Sequence, residues 1–151
     1  MNEFKDIIPP GSIPRMLDAN LNRAAEGLRV LEDTARLVLK NAALTRELKL
    51  MRHDMEKTPG LSKEVLLSRR DSKNDIGPDI SPEISAGYRN IFEMVTANSH
   101  RVEQAVRIIE ELSRLPESVM QSSTFERIRF RLYSLEKELS SQVLRLDKQQ
   151  H

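Results

Sequence analysis

The sequence contains no cysteine and no tryptophan, and only four phenylalanines and two tyrosines among its 151 residues. Without thiols there are no disulfides, thiolate nucleophiles or thiolate metal sites, and the reduced cytoplasm is the expected compartment. So few aromatics leave little surface for stacking nucleic acid bases. A dominant charge sign is missing as well: 24 Lys and Arg against 23 Asp and Glu leave +1, so no global field draws the chain to nucleic acid or to anionic lipid. There is no long apolar run, and the first ten residues include Glu3, Lys5 and Asp6, so neither a signal peptide nor a membrane span is expected. What remains is a chain 38% hydrophobic and 31% charged, the composition and size of a single soluble domain over residues 1–151.

Glycine and proline are scarce and clustered, which makes their positions informative. Pro9 to Pro14, Pro59-Gly60, Gly77 to Pro82 and Pro116 divide the chain into four periodic segments. Leu17, Leu21, Ala24, Leu28, Leu31, Ala35 and Val38 recur at spacings of three and four, predicting a helix over about 14–39. Leu44, Leu48, Met51 and Met55 predict a second over about 44–57, stopped by Pro59-Gly60. Ser81-Pro82-Glu83 reads as the start of a third over about 82–115. Ser123-x-x-Glu126 reads as a capping box for a fourth over about 124–146, whose Phe125, Ile128, Leu132, Leu135, Leu139 and Leu146 approximate a heptad seam that wants a partner. No stretch alternates convincingly as a strand. The expected class is all-α, a four-helix bundle made of two pseudo-symmetric helical hairpins.

The pairing of hairpins rests on an internal repeat. A shift of 78 aligns Asp18 to Arg23 with Thr96 to Arg101 and continues through Arg29/Arg107, Glu32/Glu110 and Arg36/Arg114, and a weaker echo at 80 relates helices two and four. Divergence of a duplicated hairpin accounts for the apolar positions. At about 100° per residue, however, Asn20 and Asn98 project into the apolar arc with Arg23 and Arg101 at its edge and a small residue, Gly27 or Ala105, beside each. A buried amide without partners costs roughly 1–3 kcal/mol. Either the two asparagines bond each other or a carbonyl across the pseudo-axis, fixing register, or they face a ligand. The small residues permit close helix contact or leave room for that ligand.

Between helices two and three lies a connection over 58–81, long for a small domain. Its segment Arg69-Arg70-Asp71-Ser72-Lys73-Asn74-Asp75-Ile76-Gly77 is either a solvated linker or a phosphate-handling loop. Phosphoryl transfer needs cationic donors on the phosphates and carboxylates for Mg²⁺, and this loop has both. Neither a G-x-x-x-x-G-K-[ST] nor a G-x-G-x-x-G cradle is present, and H-E-x-x-H and G-x-S-x-G are also missing.

Asp18-Ala19-Asn20-x-Asn22-Arg23-Ala24-x-Glu26-Gly27-Leu28-Arg29-Val30-Leu31-Glu32-Asp33, then Arg52-His53-Asp54, then Arg70-Asp71-Ser72-x-x-Asp75-Ile76-Gly77, resemble the helical domain found in front of some bacterial thiamine phosphate synthases. That domain is assigned as an alternative hydroxymethylpyrimidine phosphate kinase, unrelated to the ribokinase-like enzyme, and the similarity covers most of residues 14–140. The resemblance implies ATP-dependent phosphorylation of the pyrimidine monophosphate to its diphosphate, with ATP and Mg²⁺ required. Read from the residues themselves, Arg23, Arg52, Arg70 and Arg101 are expected on phosphates, and Asp71 and Asp75 on Mg²⁺. Asn20 or Asn98 is expected on the aminopyrimidine, and Glu26 and His53 are expected at the substrate. Catalysis is assigned to Arg70, Asp71 and Asp75. No synthase barrel follows residue 140, so a free-standing kinase or an excised domain is expected, its product passing to a separate synthase; a homodimer is a further expectation. The competing expectation is a non-catalytic helical module that dimerises or docks onto a synthase.

Overall fold

The computed structural model describes residues 11–57, 62–80, 87–116, 118 and 120–150, and every regular element in them is helical. No helix among the described residues is long and apolar enough to cross a membrane.

Helix α1 spans Ser12–Asp33. It starts two residues before the predicted boundary, which leaves Pro14 in the first turn, where its missing N–H is no loss. Gly11 precedes it with φ 85°, a left-handed conformation that suits glycine. The predicted last turn is a wider π turn over Thr34–Val38, closed by the Leu39 N–H on the Thr34 carbonyl at 3.0 Å. Asn41 then caps α2, Ala42–Glu56, by accepting from the Leu44 N–H. All four residues of the predicted stripe, Leu44, Leu48, Met51 and Met55, are buried.

The connection after α2 is not devoid of structure. It holds α3, Lys63–Arg69, whose Leu66 is buried and which packs on α1, and a single turn α4, Gly77–Ile80. The third long helix, α5, spans Ile91–Ser113 without a break. The start predicted at Ser81-Pro82 falls on 81–86, outside the described residues, but 87–90 are not helical, so a helix running on from 82 is corrected. Asn90 sets the beginning instead: its side chain accepts from the Glu93 N–H at 2.9 Å. The last helix, α6, spans Ser122–Gln150. Ser123 therefore lies inside the first turn and not at the cap.

The core joins α1 to α5, α5 to α6 and α1 to α2, with a lighter contact of α2 on α6. Leu28 and Leu31 of α1, Val102, Val106 and Ile109 of α5, and Phe125, Leu132 and Leu139 of α6 are almost wholly buried. Four of the six seam residues of α6, Phe125, Leu132, Leu135 and Leu139, are thus covered within the chain, and Ile128 and Leu146 are half-buried. At the α1/α5 crossing, a Cβ on Gly27 would stand 2.5 Å from Val102 Cγ2 and 3.2 Å from the Asn98 carbonyl oxygen. The small residue serves close helix approach, not a ligand.

The repeat is visible in polar contacts too. Asn20 Nδ2 donates to the Met16 carbonyl at 2.8 Å, and Asn98 Nδ2 to the Met94 carbonyl at 2.8 Å. Arg23 donates to Asn20 Oδ1 at 3.3 Å and Arg101 to Asn98 Oδ1 at 3.4 Å. The expected bond across the pseudo-axis is not made, because a mid-helix amide finds the carbonyl four residues back on its own helix. Arg52 Nε meets buried Glu32 at 3.0 Å, and Arg129 Nε meets buried Glu110 at 2.8 Å. These two bridges relate α2 to α6 by a shift of 77, in place of the predicted 80.

Candidate functional site

The connection after α3 is tied down onto the first half of α1. Arg70 donates from Nε and Nη2 to the two oxygens of Asp18, both at 2.8 Å, the bidentate geometry that suits a planar guanidinium. Arg15 adds a hydrogen bond to the Asp71 carbonyl oxygen at 3.3 Å. Asp18 and Arg70 form a wall between two pockets. The larger, about 520 Å³, is lined by Arg15, Asn20, Arg23, Asp71 and Asp75 among others. The smaller, about 260 Å³, lies toward Leu21, Asn22, Met55 and Leu66, with Arg52 and Lys63 at its edge.

Within the larger pocket three guanidinium groups face three carboxylates. Asp18 is paired with Arg70, whereas Arg23 donates only to the neutral Asn20 oxygen and pairs with no carboxylate among the described residues. Asp71 accepts from the Asn74 side chain at 2.7 Å and from the Asn74 N–H at 3.3 Å. Asn74, helped by the charge of Arg15, holds the Asp71 carboxyl below its ordinary range, so it is ionised at neutral pH. Asp75 Oδ1 accepts from the Gly77 N–H at 2.8 Å, which fixes its orientation at the start of α4. An ionised Asp71 and an oriented Asp75 on one pocket wall fit a hard cation that takes one or two carboxylates and completes its shell with phosphate oxygens and water.

Of the residues predicted from the sequence, Asn20, Arg23, Arg70, Asp71 and Asp75 come together here. Arg52 lines the smaller pocket while bonded to Glu32. Glu26 is exposed on α1, and His53 is half-buried on α2 without lining either pocket. Asn98 and Arg101 sit at the corresponding place on α5, also outside both. Sequence reasoning missed Arg15 and Asp18. Asp18 did leave a signal, since the repeat opposes it with Thr96, whose hydroxyl returns to the Phe92 and Glu93 carbonyls of its own helix. Arg15 precedes the repeat and left none.

A family model described as the ThiD2 family matches residues 15–138. The chain belongs to the ThiD2 family. It is 36% identical over 127 residues to a thiamine-phosphate synthase of Synechocystis, covering 84% of this chain and 36% of that protein. Against the thiamine-phosphate synthase of Rhodopirellula baltica it is 32% identical over 137 residues, covering 90% and 36% respectively. The one from Thermosynechococcus vestitus is 38% identical over 127 residues, covering 83% and 35%. This ThiD2-family chain thus spans little more than a third of the length of those relatives. No solved structure matches it.

Proposed function

We propose that this chain phosphorylates hydroxymethylpyrimidine phosphate to the diphosphate with ATP, in thiamine biosynthesis. The observation that carries the reading is the Asp18–Arg70 clamp, which holds an Arg/Asp loop against Asn20 and Arg23 and divides two adjoining pockets. Phosphoryl transfer needs the two phosphates to meet, and because Arg70 lines both pockets its guanidinium would reach a reactant held in either one. Membership of the ThiD2 family and relatives named thiamine-phosphate synthase supply the metabolic setting.

In this reaction a phosphate oxygen of the pyrimidine monophosphate attacks the γ-phosphorus of ATP. A new P–O bond forms as the bond to the β–γ bridging oxygen breaks, and ADP leaves. The nucleophile is already ionised, so positioning and charge neutralisation supply the catalysis. Arg23 and Arg70 would take the phosphate oxygens, and the buried Asn20 amide, fixed by Met16 and Arg23, would orient the aminopyrimidine. Asp71 and Asp75 would hold Mg²⁺, which when bound neutralises charge on the phosphates.

The test is direct. Incubation of the chain with ATP, Mg²⁺ and the pyrimidine monophosphate should give equal amounts of diphosphate and ADP by ³¹P NMR, and absence of diphosphate above a blank overturns the reading. The competing role, a non-catalytic module that dimerises or docks onto a synthase, drew on the α6 seam, but Leu132, Leu135 and Leu139 are buried inside this chain. Under the kinase reading, a saturating substrate raises the unfolding midpoint, because a ligand at a hundred times its Kd adds about 2.7 kcal/mol. The module reading predicts no such rise.

A further inference from the structure

Away from both pockets, α5 and α6 face each other across a group that phosphoryl transfer does not use. His100 and Glu103 lie three residues apart on α5 and so share one face of it, while Glu136 comes from α6. His100 Nε2 stands 3.2 Å from Glu136 Oε1, and one nitrogen or oxygen from each of the three residues lies within 4.8 Å of the others.

Two further observations show that the acids of this group are short of partners. Glu103 Oε1 is closed off from water and accepts no hydrogen bond. Among the described residues, no Lys or Arg forms an ion pair with Glu103 or Glu136. Elsewhere on the same two helices buried Glu110 is met by Arg107, Arg114 and Arg129. The chain supplies cations to one buried acid and withholds them from this pair.

We propose that His100, Glu103 and Glu136 form a binding site for a divalent first-row transition ion that bridges α5 and α6. One imidazole nitrogen with two carboxylate oxygens suits Zn²⁺, Co²⁺ or Mn²⁺ better than Mg²⁺ or Ca²⁺, which prefer oxygen alone. Ligand atoms bound at about 2.1 Å stand at most about 4.2 Å apart, so side-chain shifts of under about 1 Å close the group on an ion. Three protein ligands leave the remaining positions to water. Facing helices in a bundle are a common scaffold for such sites. The site belongs to one half of the repeat: the positions 78 earlier are Asn22 and Ala25, which line the smaller pocket.

The experiment uses the full chain stripped of metal by a chelator and titrated with Zn²⁺ by calorimetry. One Zn²⁺ per chain should bind, with a rise in unfolding midpoint that equimolar Mg²⁺ does not give. His100→Gln and Glu136→Gln should each weaken binding at least tenfold with unchanged far-ultraviolet helicity, and His53→Gln should leave it intact. No saturable 1:1 binding, undiminished affinity in either α5/α6 variant, or loss in His53→Gln overturns the proposal. A measurement on the unaltered chain stands independently of how the variants fold: substoichiometric Mn²⁺ should broaden the His100 ring resonances ahead of those of His53. Equal broadening at both, or none, overturns it. None of the three residues lines either pocket, so failure here leaves the kinase reading untouched and the reverse also holds.

Discussion

Asp18 and Arg70 are separated by 52 positions in sequence, yet they determine where the loop after α3 sits. Their bidentate bond is half-exposed at the guanidinium end, so its value lies in positioning and not in stability. Arg70→Ala and Asp18→Asn should therefore each lower kcat/KM for the pyrimidine monophosphate by about 100-fold, the scale of losing one fixed donor at developing charge. The double variant should lose little more than either single one, because the two act as a unit. Steady-state kinetics on the three variants checks this, and multiplicative losses would mean that the residues act separately. Arg70 was legible from its place in an Arg/Asp run. Asp18 carried only its departure from the repeat, because nothing in a linear reading says which residue a loop returns to.

At Gly27, α1 and α5 pack without room for a side chain. Gly27→Ala puts a methyl 2.5 Å from Val102 Cγ2, and overpacking of this kind costs roughly 1–3 kcal/mol. Urea unfolding should show that loss with unchanged m-value, and the same helix propensity gain that alanine brings elsewhere should not rescue it. The α5/α6 pairing depends on Glu110, which is fully buried. Burial alone would raise its carboxyl, but the hydrogen bonds and charges of Arg129 and Arg107 more than offset this and hold it below the ordinary range. A depressed carboxyl contributes stability that is present above its unfolded value of 4.5 and is lost as pH falls through the folded one. The unfolding midpoint should thus drop as pH falls below 4.5, and less steeply in Glu110→Gln. Arg129→Met at neutral pH should cost about 2–3 kcal/mol. This lies below the roughly 3–5 kcal/mol of a fully orphaned buried charge, since Arg107 and Arg114 remain. The periodic stripes of α1, α2 and α6 were readable because burial follows helix period. The start of α5 was misread because Ser81-Pro82 is as good a local cap as Asn90, and only packing chooses between them.

For the molecule as a whole, the apolar face of α1 is covered mainly by α5, which is distant in sequence, rather than by its neighbour α2. A fragment of residues 11–57 should accordingly show little helix by circular dichroism, while the full chain is strongly helical. A stably helical fragment would show that each hairpin folds alone. The sequence by itself determined the helical class, the repeat, the buried stripes and the cationic and acidic character of the loop, because each depends on residue types at short, regular spacings. It also carried the family motifs of residues 18–33 and 70–77. Tertiary structure alone decided that Asp18 anchors Arg70, that Asn20 lines the larger pocket while Asn98 lines neither of the two, and that Glu103 and Glu136 share one crowded space. Those outcomes depend on which distant surfaces meet, and close packing between helices fixes distances that local periodicity leaves free.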